Sequence, residues 1–196
     1  MRAFTPDEIA AAIEAKGYKV FRQEPYDLNV FGIRTADDDA NTFNDIVGVM
    51  YMVAGRWVCF QFPATTDPGT YWRENPMRVE GTAILMPGQY RGSHMVGKHK
   101  GYPALQQRKP VTVYRDGDRD TELDVGGFSM KETGMFGINI HRANKSRAST
   151  QVDKWSAGCQ VIADPLHFRF LMEIAQVAVA KWGNSLTYTL ITTDDL

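Results

Sequence analysis

Ile46-Val47-Gly48-Val49-Met50-Tyr51-Met52-Val53 and Trp57-Val58-Cys59-Phe60-Gln61-Phe62 flank the short link Ala54-Gly55-Arg56. Both flanks are rich in β-branched and aromatic residues, and a glycine-bearing link of this length between them reads as a hairpin. In the first flank Val47, Val49, Tyr51 and Val53 alternate with Ile46, Gly48, Met50 and Met52, so neither set is charged. A strand of that kind is covered on both faces. The hairpin sets the expectation of a layered, mainly β chain.

Upstream of the hairpin, Thr5-Pro6-Asp7-Glu8 reads as a helix start with Thr5 as N-cap and Glu8 completing a capping box. Ile9, Ala12 and Ile13 give that helix one apolar face, and Gly17 stops it. Tyr18–Phe21 and Leu28–Ile33 read as strands, and Asp37-Asp38-Asp39 as a solvated loop without the ligand spacing of a calcium loop. Beyond the hairpin, residues 65–78 read as a long connection, and Val79–Met86, Val111–Arg115 and Leu186–Thr192 as strands. Residues 121–134 read as irregular. From Pro165 the apolar residues step at helical spacing to 182, with Asp164 as N-cap and Gly183-Asn184 as the stop. The expectation is a single domain over residues 1–196: mainly β with two helices, an α+β sandwich or barrel. The role of residues 1–62 stays open.

The polar stretch from Gln89 to Tyr102 has two readings. It is an exposed loop, or the rim of a cleft in which Tyr90, His94, His99 or Tyr102 touches a peptide or sugar.

Composition narrows the function. The 196 residues carry 22 basic and 23 acidic side chains with no basic block, which does not suggest a nucleic-acid partner. No apolar run is long enough to span a membrane, and the N-terminus lacks the basic-then-apolar order of a secretory signal. The expectation is a chain cytoplasmic when synthesised. A Cys59–Cys159 disulfide has no special support.

The chemistry concentrates in Gly137-Ile138-Asn139-Ile140-His141-Arg142 and Trp155-Ser156-Ala157-Gly158-Cys159-Gln160. A histidine ends an apolar strand-like run, and a cysteine follows in a tight Ser-Ala-Gly-Cys turn. A thiol attacks as thiolate, so it needs a base or backbone N–H groups near it. Glycine before the nucleophile leaves the backbone open to a developing oxyanion. The polar residues between, 143–154, form a loop long enough to overhang a cleft.

This arrangement resembles the catalytic stretch of the L,D-transpeptidase (YkuD-like) family, in which a strand histidine is followed, after a gap of comparable length, by Ser/Thr-His-Gly-Cys. Thr65-Thr66-Asp67-Pro68-Gly69-Thr70-Tyr71 is similar to a turn upstream in that family. Three positions depart: Ala157 stands for the histidine before Gly-Cys, Val161 for an arginine after it, and Arg142 for a glycine after the catalytic histidine. The resemblance implies a β-sandwich or barrel fold, and a cysteine enzyme acting on peptidoglycan stem peptides through a thioester, with no cofactor or metal. Cys159 would be nucleophile and His141 base, with Ser156 and Gly158 in the turn that holds the oxyanion. A backbone carbonyl, Ser156 or Asp153 would orient His141. Arg142, His99, Tyr102 and Trp155 would bind substrate, with Lys154 a further candidate for a carboxylate. Combined with the missing export signal, it implies a hydrolase of the kind bacteriophages release at lysis, an endolysin. A cross-linking transpeptidase, a metal hydrolase using His94, His99 and His141, and a non-catalytic wall- or virion-binding domain are the alternatives.

Overall fold

The structure, a computed structural model, describes residues 2–36, 41–120, 122–127 and 129–196. In chain order the elements are α1 (Pro6–Ala15), β1 (Asn29–Arg34), β2 (Asp45–Val53), β3 (Arg56–Thr65), α2 (Thr70–Glu74), β4 (Thr82–Leu85), β5 (Gly88–His99), β6 (Tyr102–Gln107), β7 (Val111–Asp116), β8 (Lys131–Gly134), β9 (Ile140–Arg142), β10 (Gln160–Ile162), α3 (Pro165–Trp182) and β11 (Leu186–Thr192), with a 3-10 turn at Thr193–Asp195. Eight strands close a barrel in the order β1-β11-β5-β6-β9-β10-β3-β2, and β4-β7-β8 form a second sheet. The chain is mainly β with helices, as its hairpin predicts.

That hairpin is β2–β3, paired from Asp45↔Ala64 to Val53↔Arg56. Ala54 and Gly55 turn it with φ of 48° and 72°, the left-handed pair that matches strand twist. Its two apolar sets go to two cores. Val47, Val49 and Tyr51 join the cluster that holds Phe168, Leu171 and Ala175 of α3. Ile46 and Met50 join the one that holds Ile9 and Ile13 of α1. Ile9 and Ile13 are fully buried. Each contributes roughly 1.5–3 kcal/mol by leaving water. The capping box forms, with Glu8 N–H donating to Thr5 Oγ1 and Thr5 N–H to Glu8 Oε2. Residues 1–62 thus supply three barrel strands and the helix that covers their outer face.

Four expectations need correction. Gln89–Tyr102 is no loop: β5 pairs with both β11 and β6, and its Gln89, Ser93 and His94 side chains bond inside the fold. Tyr18–Phe21 is extended but unpaired. The Gln89 and Asn29 side chains take the backbone bonds of Lys19 and Phe21 that a neighbouring strand would have taken. Residues 65–78 contain α2, whose Arg73 is wholly buried 3.5 Å from Asp116 of β7. Burial raises the Asp116 carboxyl to about 6. Within 121–134, Lys131–Gly134 forms β8 against β7. Residues 37–39 lie outside the described residues.

Candidate active site

β9 and β10 are parallel neighbours, with Gln160↔Ile140 and Val161↔His141 in register. Two parallel strands need a crossover, and residues 143–159 supply it. The long gap between His141 and Cys159 is therefore topological. Cys159 sits immediately before β10, level with Asn139. The Gln160 N–H donates to the Asn139 carbonyl at 2.9 Å.

The cysteine turn is clipped from several sides. Ser156 Oγ donates to the Cys159 carbonyl at 2.7 Å and accepts from the Gly158 N–H at 3.1 Å. Gly158 has φ of 114°, and a Cβ there would collide with the Ala83 carbonyl of β4. Only glycine fits. Behind the turn Gln160 donates to the Thr66 and Gly158 carbonyls and accepts from the buried Tyr188 hydroxyl. Upstream, the Gly69 N–H donates to the Ser156 carbonyl, which ties the 65–71 segment to the turn. Ser156 is thus a positioning residue whose hydroxyl is committed to Cys159 and Gly158. The Gly158 N–H, already bonded, is not a free oxyanion donor.

His141 is buried in β9, and its Nδ1 lies 2.8 Å from the Arg142 carbonyl. A carbonyl only accepts, so Nδ1 carries the hydrogen and Nε2 holds the lone pair. The Tyr102 hydroxyl, 3.1 Å from the same nitrogen, accepts from it as well. The backbone carbonyl is the orienting group, and Asp153 is excluded from that role because it accepts from Asn41 Nδ2 instead. A ring nitrogen of His141, one of His99 and the Cys159 Sγ all lie within 4.8 Å of one another. The two imidazoles stack at 4.1 Å with 7° between their planes.

Burial first, then the neighbouring His99, lowers His141 to about 3. Burial also raises the half-buried Cys159 thiol, against the pull of the Asn139 backbone N–H and the Lys100 charge. The resting pair is neutral thiol beside neutral imidazole. Cys159 and Cys59 are both free, and Sγ of Cys159 points at the Gly137 carbonyl, 3.3 Å away.

The stack also bears on metal binding. A metal lies near the plane of each imidazole that binds it, about 2.0–2.1 Å from the nitrogen for zinc. Two stacked rings 7° from parallel, with centroids 4.1 Å apart, do not share such a point. His94 is elsewhere, 1% exposed, with Nε2 donating to the Ile138 carbonyl and Nδ1 facing Ser93 Oγ. It is a satisfied core residue that hangs the approach to β9, so the three-histidine set does not assemble.

Of the other expected residues, Tyr102 and Arg142 stand at the site, the guanidinium 4.2 Å over the Tyr102 ring. Together with Lys145, Arg147 and Arg169 they line a groove of about 670 Å³. Trp155 borders a different groove with Asn144, Arg147 and Thr150. Lys154 Nζ lies over the Tyr71 ring at 4.0 Å. A smaller cleft of about 230 Å³, lined by Trp72, Met77, Phe136 and Ala157, opens on the other flank of the turn.

Sequence reasoning passed over Asn139, Gln107 and Gln160. Asn139 Nδ2 lies 3.0 Å from His99 Nδ1, and its Oδ1 accepts the Gln107 N–H at 2.8 Å. The Gln107 side chain accepts from the Phe136 and Ile138 N–H groups and donates to the Gly134 carbonyl. Asn139 had one signal, its period-two relation to His141, which puts both on one face of the strand.

Compared with known proteins, the chain matches no protein-family model, and no curated protein or solved structure matches it at a significant level. No helix among the described residues is long and apolar enough to cross a membrane.

Proposed function

We propose that this chain is a cysteine-nucleophile enzyme that cleaves peptidoglycan stem peptides through a thioester. One observation carries the reading: a thiol within 4.8 Å of a ring nitrogen of an imidazole whose Nδ1 is fixed by the Arg142 carbonyl. Cys159 Sγ attacks a peptide carbonyl as its proton passes to His141 Nε2. The oxyanion collapses to the thioester, and His141 gives the proton to the departing amine. Water then attacks, losing a proton to His141, and the thiol is restored.

The substrate class rests on the resemblance to L,D-transpeptidases. Arg142, Lys145 and Arg147 at the groove suit the carboxylates that stem peptides carry. Hydrolysis is favoured over cross-linking because water needs no residue beyond His141, and the departures at Ala157 and Val161 fall beside the nucleophile. The endolysin role follows from that preference and is part of the proposal.

The test is mass spectrometry of soluble products from purified sacculi. Wild type should release peptide fragments that Cys159→Ala does not, with or without a chelator. New cross-links without soluble product would instead select the transpeptidase. Release that survives Cys159→Ala but not chelation would select a metal hydrolase.

A further inference from the structure

One backbone donor of the cysteine turn is already engaged. Acyl transfer at Cys159 makes an oxyanion that ordinarily needs two hydrogen bonds, yet the Gly158 N–H is held by Ser156 Oγ. The ring stacked on His141 offers another donor beside the thiol.

The orientation of the Asn139 amide is fixed from outside. Its Oδ1 accepts the Gln107 backbone N–H, so its Nδ2 is the end that meets His99. An amide nitrogen only donates, which makes His99 Nδ1 the acceptor and places the ring hydrogen on Nε2. His141 holds the opposite tautomer, with Nδ1–H on the Arg142 carbonyl. Two parallel imidazoles next to one thiol are thus set in complementary states, one offering a lone pair and the other an N–H.

From this geometry we infer that His99 is a second catalytic residue, whose neutral Nε2–H hydrogen-bonds the oxyanion formed when Cys159 is acylated. The inference rests on the cysteine-enzyme reading and assigns His99 a role distinct from the general substrate contact expected from sequence. In the step itself the Sγ–C bond forms and the carbonyl π pair moves to oxygen. His99 donates a hydrogen bond to that oxygen without transferring its proton. The pair then returns, the C–N or C–O bond breaks, and a departing amine takes its proton from His141. Burial and the Lys100 charge both disfavour a proton on His99, which keeps the ring a neutral donor. A neutral donor matches an oxyanion better than it would a proton-transfer role, because it has no acidic proton to give.

The experiment compares two reactions of the same sulfur. Carbamidomethylation of Cys159 by iodoacetamide forms no oxyanion, whereas acylation by p-nitrophenyl acetate does. His99→Ala should leave the first rate unchanged and slow the second about 100-fold. His99→Gln, which keeps a side-chain donor and guards against a folding failure in the alanine variant, should recover part of that loss. Equal slowing of both reactions would overturn the inference, since His99 would then act only through the thiol or His141. So would acylation that is insensitive to both variants, or a wild type that p-nitrophenyl acetate does not acylate. If wild type releases nothing from sacculi while ester acylation still depends on His99, the substrate reading fails and the His99 assignment stands.

Discussion

The two cysteines are the same side chain at similar exposure in opposite surroundings. Cys59 lies in β3 against the α1 core, and Gln61 Nε2 lies 4.0 Å from its sulfur. Burial carries its thiol to about 11. Cys159 is also raised by burial, but a backbone N–H and a lysine charge oppose the rise, and an oriented imidazole stands within 4.8 Å. Exposure does not separate an inert thiol from a candidate nucleophile here. Neighbours do, and those neighbours come from strands β5, β6 and β9, remote from β10 in sequence.

The sharpest way to break this contrast is to remove each sulfur. Cys159→Ala should lower turnover of sacculi by at least about 10⁴-fold, as loss of a nucleophile does. Cys59→Ala should leave turnover unchanged, and a shared loss would end the distinction. A second contrast lies in the glycines around the site. Gly158→Ala places a methyl against the Ala83 carbonyl at a left-handed φ, and should cost about 3 kcal/mol in denaturant unfolding. Gly137 also has a positive φ, 74°, but nothing lies within reach of an added Cβ. Gly137→Ala should cost about 1–2 kcal/mol. Equal costs would mean that β4 does not press on the cysteine turn.

Smaller effects probe what surrounds His141. Tyr102→Phe removes one of the two acceptors at Nδ1 and leaves the Arg142 carbonyl, so turnover should fall by less than about tenfold. Cys159 alkylation should still climb with pH through the alkaline range, because its thiol is raised. A further signal is the pH dependence of stability. His141, depressed to about 3 from 6.5, is neutral in the folded chain where the unfolded chain binds a proton. Stability therefore falls as pH falls from about 6.5 towards 3. His94, lowered to about 4, acts in the same direction, and Asp116, raised to about 6, acts against them. His141→Gln should flatten the slope by its one proton, measured as unfolding free energy against pH.

How much of this was legible in sequence follows from which interactions are local. The β2–β3 hairpin and α3 announce themselves because their apolar periods match their burial, and α1 because its capping box is contained in four consecutive residues. β5 hides because Gln89, Ser93 and His94 satisfy partners across the barrel, which leaves a buried strand with a polar, loop-like composition. At the site, His141 and Cys159 were readable from order and spacing, and the spacing has a cause in the parallel crossover. The His99–His141 stack and the Asn139–Gln107 support join β5, β6 and β9 across long sequence separations, so no window of the chain contains them. Asp153 and Lys154 lie close to the motif in sequence, but the crossover turns them to Asn41 and Tyr71, and Trp155 borders a different groove.

The most direct test of the central claim is acid-quenched mass mapping of the protein during digestion of sacculi. A peptide-derived mass increment is expected on the Cys159 fragment, absent in Cys159→Ala and removed by hydroxylamine, as a thioester requires. Fragment release with no increment on Cys159, or with the increment on another residue, would contradict it.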